Sequence, residues 1–418
     1  MRRFLYNVLM LTAMLVVGAS GKLYAAADTD VPQVSLLTVE PGPVIYELDG
    51  HTALRFSLPG RYDYIVNWGV FDFNSPNFLY RFVKGETDYM AWPFPSEMFL
   101  EEYRRQGRGV TEQIIDLTPA QARRLEAMVT DNLRPENRTY RYNYIYDNCA
   151  TRPLALIEKA IGAPVSIAGT PGFVYGETGI ADDGAPTTFR KEMSHTHADY
   201  PWYQFGIDLA LGSGLDREIS LRERTYSPLY LRHALENASY TDSLGNVRHL
   251  VRSTATVIPG QKVTEAPTPW FLTPVFISLL ILLLTALIVA RDIRRRKITR
   301  WYDCVFYSAA LIPGLLLTFL IFVSSHEATS PNWLYLWLNP FCAIPAVFIW
   351  IKSCRRVVYC YQICNFVALF LLLLIGILGI QGLNDAFYML IGADILLSAR
   401  YLVISNRKLQ DKLTLRGR

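Results

Sequence analysis

The 418-residue chain sets 41 Lys and Arg against 37 Asp and Glu, for a formal charge of +4, and is 51% hydrophobic. Many of the basic residues sit in short runs beside apolar stretches, where they read as topological anchors rather than a surface patch, which sets nucleic acid aside as a partner. Of six cysteines, Cys304, Cys342, Cys354, Cys360 and Cys364 lie in or beside those stretches, so Cys149 has no disulfide partner in the region before them.

The chain opens with Met1-Arg2-Arg3, an apolar run over 4–17, and the small residues Ala25-Ala26-Ala27. This pattern predicts an export signal over 1–27. Residues 34–73 alternate and turn as antiparallel strands, with "VIYELDGHTALRFSL" and "YIVNWGVFDF" separated by "PGRYD". In "HTALRFSL", Leu54, Phe56 and Leu58 share one face, leaving His51, Ala53 and Arg55 on the other, where His51 can face a cleft.

"LTPAQARRLEAMVTDNL" reads as a helix capped by Thr118, with a proline at its first position. "CATRPLALIEKAIG" reads as a second helix starting near Cys149 and ending at Gly162, with Pro153 tolerated in the first turn. Residues 28–162 form the expected catalytic core. A loop-rich and helical extension with a linker is expected over 163–269.

Five apolar stretches follow, near 270–290, 302–323, 333–351, 357–380 and 386–404, each able to cross a bilayer core of about 30 Å as a helix. They predict a transmembrane domain over 270–405, then a basic tail over 406–418. "RDIRRRKITR", "KSCRR" and "NRKLQDKLTLRGR" are basic, whereas "SSHEATSPN" and "QGLND" contain neither Lys nor Arg. Because Lys and Arg gather on the cytoplasmic side, the region before the first span is expected outside the cytoplasm, in agreement with the export signal.

Cys149 sits in "YNYIYDNCATRP", flanked by Asp147, Asn148, Thr151 and Arg152. A thiol at a helix N-terminus feels the positive end of the dipole, which favours thiolate, and a nearby imidazole lowers its pKa further. His51 is the natural base, with His195 and His197 as rivals. A third group must orient the imidazole; Asp63 and Asn67 share a face of the next strand, and Asn67 is favoured. Asn148, Arg152 and His326 are possible orienting or substrate-binding residues, the last beside Glu327, Asn332 and Asn339 in an outer loop. Asp394, within the last span, is expected to face protein and serve bundle packing. No metal site and no cofactor are expected.

"GHTALRF", "NWGVFDF" and "PENRTYRYNYIYDNCATRP" resemble the motifs of the Lnb family of Bacteroidota, and the likeness extends over nearly the whole chain. The order His, polar group, Cys is also similar to the circularly permuted papain-like folds of the NlpC/P60 and lecithin–retinol acyltransferase (LRAT) groups. The resemblance implies an α+β periplasmic domain of that type followed by an all-α five-helix transmembrane domain in the bacterial inner membrane. It implies a lipoprotein N-acyltransferase, with Cys149 as acyl-carrying nucleophile and His51 as base. The implied acyl donor is a membrane phospholipid and the acceptor the α-amine of a diacylated lipoprotein. Asp49 stands where the likeness leads one to expect an aromatic residue. The alternatives are a membrane-anchored cysteine peptidase or amidase acting on cell-wall peptide, and a non-enzymatic membrane scaffold.

Overall fold

The computed structural model describes residues 30–72, 74–169, 173–175, 180–182, 184–261 and 267–416, with side chains in the last helix described to residue 406. The expected export signal over 1–27 lies outside the described residues.

The N-terminal domain is α+β, built on a seven-stranded sheet in the order β11-β5-β1-β2-β3-β4-β6, with every neighbouring pair antiparallel. Its first strands are β1 (Gln33–Val39), β2 (His51–Leu58), β3 (Tyr62–Val70), β4 (Asp88–Pro95), β5 (Val110–Ile115) and β6 (Thr139–Arg141). Between them stand α1 (Phe78–Lys84), α2 (Ser96–Gln106) and α3 (Pro119–Asn132), and α4 (Thr151–Ile161) follows β6. The period-two alternation of β2 splits its side chains between two cores. Leu54 and Phe56 join Leu125, Val129, Leu154 and Ile157 of α3 and α4, whereas Ala53 joins Ile65 and Phe99 beneath α2.

Thr118 caps α3 as expected, its side chain accepting from Gln121 N while Gln121 Oε1 accepts from Thr118 N. The region after Gly162 contains the hairpins β7–β8 (Val174–Tyr175, Ile180–Ala181) and β9–β10 (Ser239–Thr241, Val247–His249). Its helices are α5 (Phe189–Thr196), α6 (Pro201–Ala210), α7 (Leu221–Arg224) and α8 (Pro228–Glu236). It is more than an extension, because β11 (Val251–Ile258) returns to pair with β5 and closes one side of the sheet.

The C-terminal region is helical. Among the described residues four helices are long and apolar enough to cross a membrane: α9 (Pro274–Arg295), α10 (Arg300–Phe322), α12 (Arg355–Ile377) and α13 (Asp385–Arg416), which also takes in most of the expected tail. The third apolar stretch departs from the expected helix. It is broken into two 3₁₀ turns, Trp333–Leu336 and Pro340–Cys342, and the short α11 (Ala343–Phe348). Proline cannot donate to a helical ladder, and Asn339 diverts the backbone by accepting from Phe341 N and donating to Tyr335 O, so a new turn starts at Pro340.

Buried polar groups hold the bundle. Asp394 accepts from Tyr307 OH at 2.7 Å, Trp337 Nε1 at 3.1 Å and Asn365 Nδ2 at 2.9 Å, each on a different segment. Nearer the basic loops, Arg400 bridges Asp292 and Asp303 at 2.8 and 2.5 Å, all three buried. Asp394 is satisfied by three neutral donors and Arg400 by two carboxylates, the kind of partnering on which a chain tolerates ionisable groups in such surroundings.

Direct hydrogen bonds seat one domain on the other. Ser325 N donates to Lys84 O at 2.9 Å, Asn332 Nδ2 to Leu209 O at 2.9 Å, Asn384 Nδ2 to Asp208 Oδ2 at 2.8 Å and Trp202 Nε1 to Leu272 O at 2.8 Å. The membrane-domain partners all lie in loops without Lys or Arg or ahead of the first span, so the N-terminal domain sits on the face opposite the basic loops.

Candidate active site

The site forms where β2 begins. Gly50 adopts φ +75° immediately before the strand, and a Cβ there would lie 2.6 Å from Val39 O, so only glycine lets the chain enter β2 in this register. Pairing of β1 with β2 runs to Val39 opposite His51, whereas β2–β3 pairing ends at Ala53 opposite Asn67. His51 and Thr52 therefore extend past the end of the β2–β3 ladder. His51 Nε2 reaches diagonally to Asn67 Oδ1 at 2.8 Å. With Nε2 taken, Nδ1 is the ring nitrogen available to a neighbour.

Cys149 lies against this strand end, 8% exposed. The backbone N–H of Thr52, its own N–H and the Tyr142 hydroxyl all address its sulphur. His51 and the thiol thus flank a single residue, Thr52. Burial pushes the thiol up to about 11; those three donors oppose the rise and the Asp49 carboxylate adds to it. Burial lowers His51 to about 4, with the Asn67 bond opposing and the Arg108 charge assisting.

Burial thus favours a neutral thiol beside a neutral imidazole, against the thiolate expected from the sequence. The reason lies in the cap. Cys149 precedes the first helical residue, Thr151, by two positions, and Asn148 Oδ1 already accepts the Ala150 and Thr151 N–H groups at 2.8 and 2.9 Å. The positive end of the helix is spent on that side chain.

The remaining expected residues sort by contact. Asn148 also donates to Tyr144 O and Tyr226 O at 2.7 and 2.9 Å, so it builds the turn carrying Cys149 and has no donor left for a substrate. Arg152 is held by Asp147 at 2.5 Å and lies 3.4 Å over the Tyr140 ring. Asp63 is paired with Arg55 at 2.5 Å and accepts from Ser96 Oγ at 2.6 Å, two pleats from Asn67 and away from His51. His326 Nε2 contacts Phe82 O at 2.8 Å, so it docks the outer loop on α1. Gly85 permits that approach: its φ is +75°, and a Cβ would fall 2.6 Å from Ser325 Oγ. His195 packs edge-on to Tyr175.

His197 occupies a place of its own behind the site. It is fully buried, with Nδ1 2.9 Å from Gln204 Oε1 and Nε2 3.7 Å from Asp49 Oδ2, and Tyr144 OH donates to the same carboxylate oxygen at 2.5 Å. Burial works against a charge on His197, but Asp49 outweighs it and raises the imidazole above its usual range. Gln204 donates onward to Asp208, which meets Arg190 and Asn384. A polar chain thus runs from the residue before Gly50-His51 to the outer loop of the membrane domain.

Sequence reasoning missed Tyr142, Thr52 and the Asp49–His197 pair. Tyr142 was visible only as one aromatic among several in "YRYNYIYDNC", and Thr52 acts through its backbone.

Two family models match the chain: the Lnb N-terminal periplasmic domain over residues 21–174 and the Lnb transmembrane domain over residues 266–409. The chain belongs to the Lnb family. It is accordingly a membrane protein with a periplasmic domain, and the strand end, the cysteine turn and α1 all lie within the part matched by the Lnb periplasmic domain. No curated protein and no solved structure matches the chain.

Proposed function

We propose that this protein is a lipoprotein N-acyltransferase of the bacterial inner membrane, carrying an acyl chain as a thioester on Cys149. The observation that carries the reading is the His51–Asn67 pair set one residue from the Thr52 N–H that addresses the Cys149 sulphur. The order of strand histidine, strand asparagine and helix-start cysteine supports a circularly permuted papain-like arrangement. The broken segment over residues 333–348 serves as the fifth crossing: it starts at Trp333, whose N–H donates to Gln381, and Ile349 just beyond it packs with Val358 and Tyr401 near the opposite end of the bundle.

In the first half-reaction His51 Nδ1 takes the thiol proton as sulphur attacks an ester carbonyl of a phospholipid. The N–H groups of Thr52 and Cys149 stabilise the oxyanion. The carbon–oxygen bond breaks, His51 returns the proton to the departing alkoxide, and lysophospholipid leaves. In the second half-reaction the α-amine of a diacylglyceryl-cysteine attacks the thioester, the carbon–sulphur bond breaks, and His51 passes the amine proton to the sulphur. A thioester becomes an amide, which is downhill and uses no nucleotide. Asn67 holds the imidazole by Nε2 throughout, which leaves Nδ1 for the proton transfers.

The test is mass spectrometry of the lipidated N-terminal peptide of a reporter lipoprotein, in a host depleted of its own N-acyltransferase. A third acyl chain with wild type but not with Cys149→Ala supports the proposal. Its presence with both makes Cys149 structural. Its absence with both, with each protein confirmed in the membrane, moves a hydrolase acting on cell-wall peptide ahead.

A further inference from the structure

Helix α1 is the next element after β3, the strand that carries Asn67, and buries none of its seven residues. Leu79 is 73% exposed, and Tyr80 and Phe82 are about half exposed. A soluble domain does not leave three large apolar side chains on one short helix without a partner for them. The position of the helix supplies one. Tyr80 packs its ring 6.0 Å from that of Phe319, one turn inside the end of the membrane-spanning α10. Val83 O and Lys84 O are tied to Ser324 and Ser325 just beyond that end. The helix therefore sits level with the last turn of that span. Its cations suit that level: Arg81 turns to Asp88 at 2.9 Å and Lys84 to Glu86 at 2.7 Å, so neither charge points to the apolar side.

From α1 an unbroken series of rings leads to the thiol. Phe82 lies 6.0 Å from Phe78, Phe78 5.6 Å from Phe71, Phe71 5.0 Å from Tyr89, and Tyr89 4.5 Å from Tyr142, whose hydroxyl addresses Cys149. Centroid steps of this size are ordinary aromatic contact, so the rings form one continuous wall. That wall is long enough to line most of an acyl chain, since the hydrocarbon of one leaflet is ~15 Å thick. It is apolar through Phe82, Phe78 and Phe71 and carries hydroxyls only at its inner end, on Tyr89 and Tyr142, where a polar ester carbonyl would have to lie.

We propose that α1 is a lip immersed in the outer leaflet, and that an acyl chain of a phospholipid lies along Phe82, Phe78, Phe71 and Tyr89 to bring its ester to Cys149. The acyl path rests on the acyltransfer reading above; the immersion of α1 does not. Lipid is the occupant because the exposed face lies at the level of Phe319, where a protein partner would itself have to be in the bilayer.

The experiment uses the full chain in vesicles of phosphatidylethanolamine and phosphatidylglycerol. With Leu79→p-benzoylphenylalanine, ultraviolet irradiation is expected to give phospholipid adducts. Leu244→p-benzoylphenylalanine, still more exposed but in the β9–β10 hairpin, is expected to give none. Absence of lipid adducts at position 79 overturns the immersion. Phe78→Glu places a charge on that wall and is expected to slow acyl loading of Cys149 by about tenfold or more, with alkylation of Cys149 by water-soluble iodoacetamide unchanged. Loading at the wild-type rate in this variant overturns the path. If wild type takes no acyl group at all, the acyltransfer reading and the path fall together, and the cross-link at position 79 still decides the immersion by itself.

Discussion

His51 Nε2 and Asn67 Oδ1 lie 2.8 Å apart across the end of two antiparallel strands, and this contact fixes which imidazole nitrogen is free to act. Losing it leaves the ring free to rotate and to change tautomer. Asn67→Ala is expected to lower kcat by about 10²-fold with little change in KM, read as the rate of acyl-enzyme formation at saturating phospholipid. Asp63→Asn serves as the contrast. Its carboxylate is engaged by Arg55 and Ser96, so acyl loading is expected to stay near wild type, and a matching loss in both variants would contradict the assignment of Asn67.

The neutral resting pair has a pH signature. The competent form needs His51 unprotonated, and burial places that titration at about 4, so activity is lost as pH falls through 4 and not through the 6.5 of an ordinary histidine. The thiol remains protonated until pH approaches 11, so the rate of acyl-enzyme formation is expected to be nearly level between about pH 5 and 9. Iodoacetamide alkylation of Cys149 should instead climb with pH across that range, because it follows the thiolate fraction. A preformed thiolate would give fast, level alkylation at neutral pH.

The pairing of His197 with Asp49 makes a separate claim on the thiol. Asp49 raises the Cys149 thiol, and a charged His197 offsets that carboxylate. In His197→Gln the carboxylate keeps only the Tyr144 hydroxyl, and the alkylation profile of Cys149 is expected to move to higher pH. Asp49→Asn combined with His197→Gln should bring the profile back toward or below wild type. A purely structural His197 would leave the midpoint unmoved in both variants while lowering the folded yield.

Arg400 joins Asp292 and Asp303, and all three are buried. Removing the cation leaves the buried Asp303 carboxylate without its ion pair and Asp292 with only the 3.7 Å contact to Arg291, a loss of about 3–5 kcal/mol for breaking a buried pair. Arg400→Ala is expected to lower the thermal midpoint in detergent markedly, whereas Arg295→Ala, on an exposed turn of α9, should change it little.

Local pattern made much of this legible. Alternation in "HTALRFSL" placed His51 away from the Leu54 and Phe56 face, the spacing in "YIVNWG" brought Asn67 into range, and the Thr118 cap was written in four residues. What escaped involves partners distant in the chain or atoms with no side-chain signal. Asp49 meets His197 across almost 150 residues, and β11 joins β5 after all the intervening helices. The neutral state of the thiol follows from burial and from the way Asn148 consumes the helix-start amides, which no spacing rule records. The broken third membrane stretch had a visible cause in Asn339, Pro340 and Pro345, but a hydropathy window averages over such breaks.

The most direct measurement is the intact mass of the purified full-length protein after incubation with a phospholipid of defined acyl chains and no lipoprotein acceptor. One added acyl group is expected, mapped to Cys149, released by neutral hydroxylamine and absent from Cys149→Ala. An unmodified Cys149 in a protein that nonetheless N-acylates a lipoprotein in the same vesicles would contradict it, because transfer would then proceed without the thioester on which the account depends.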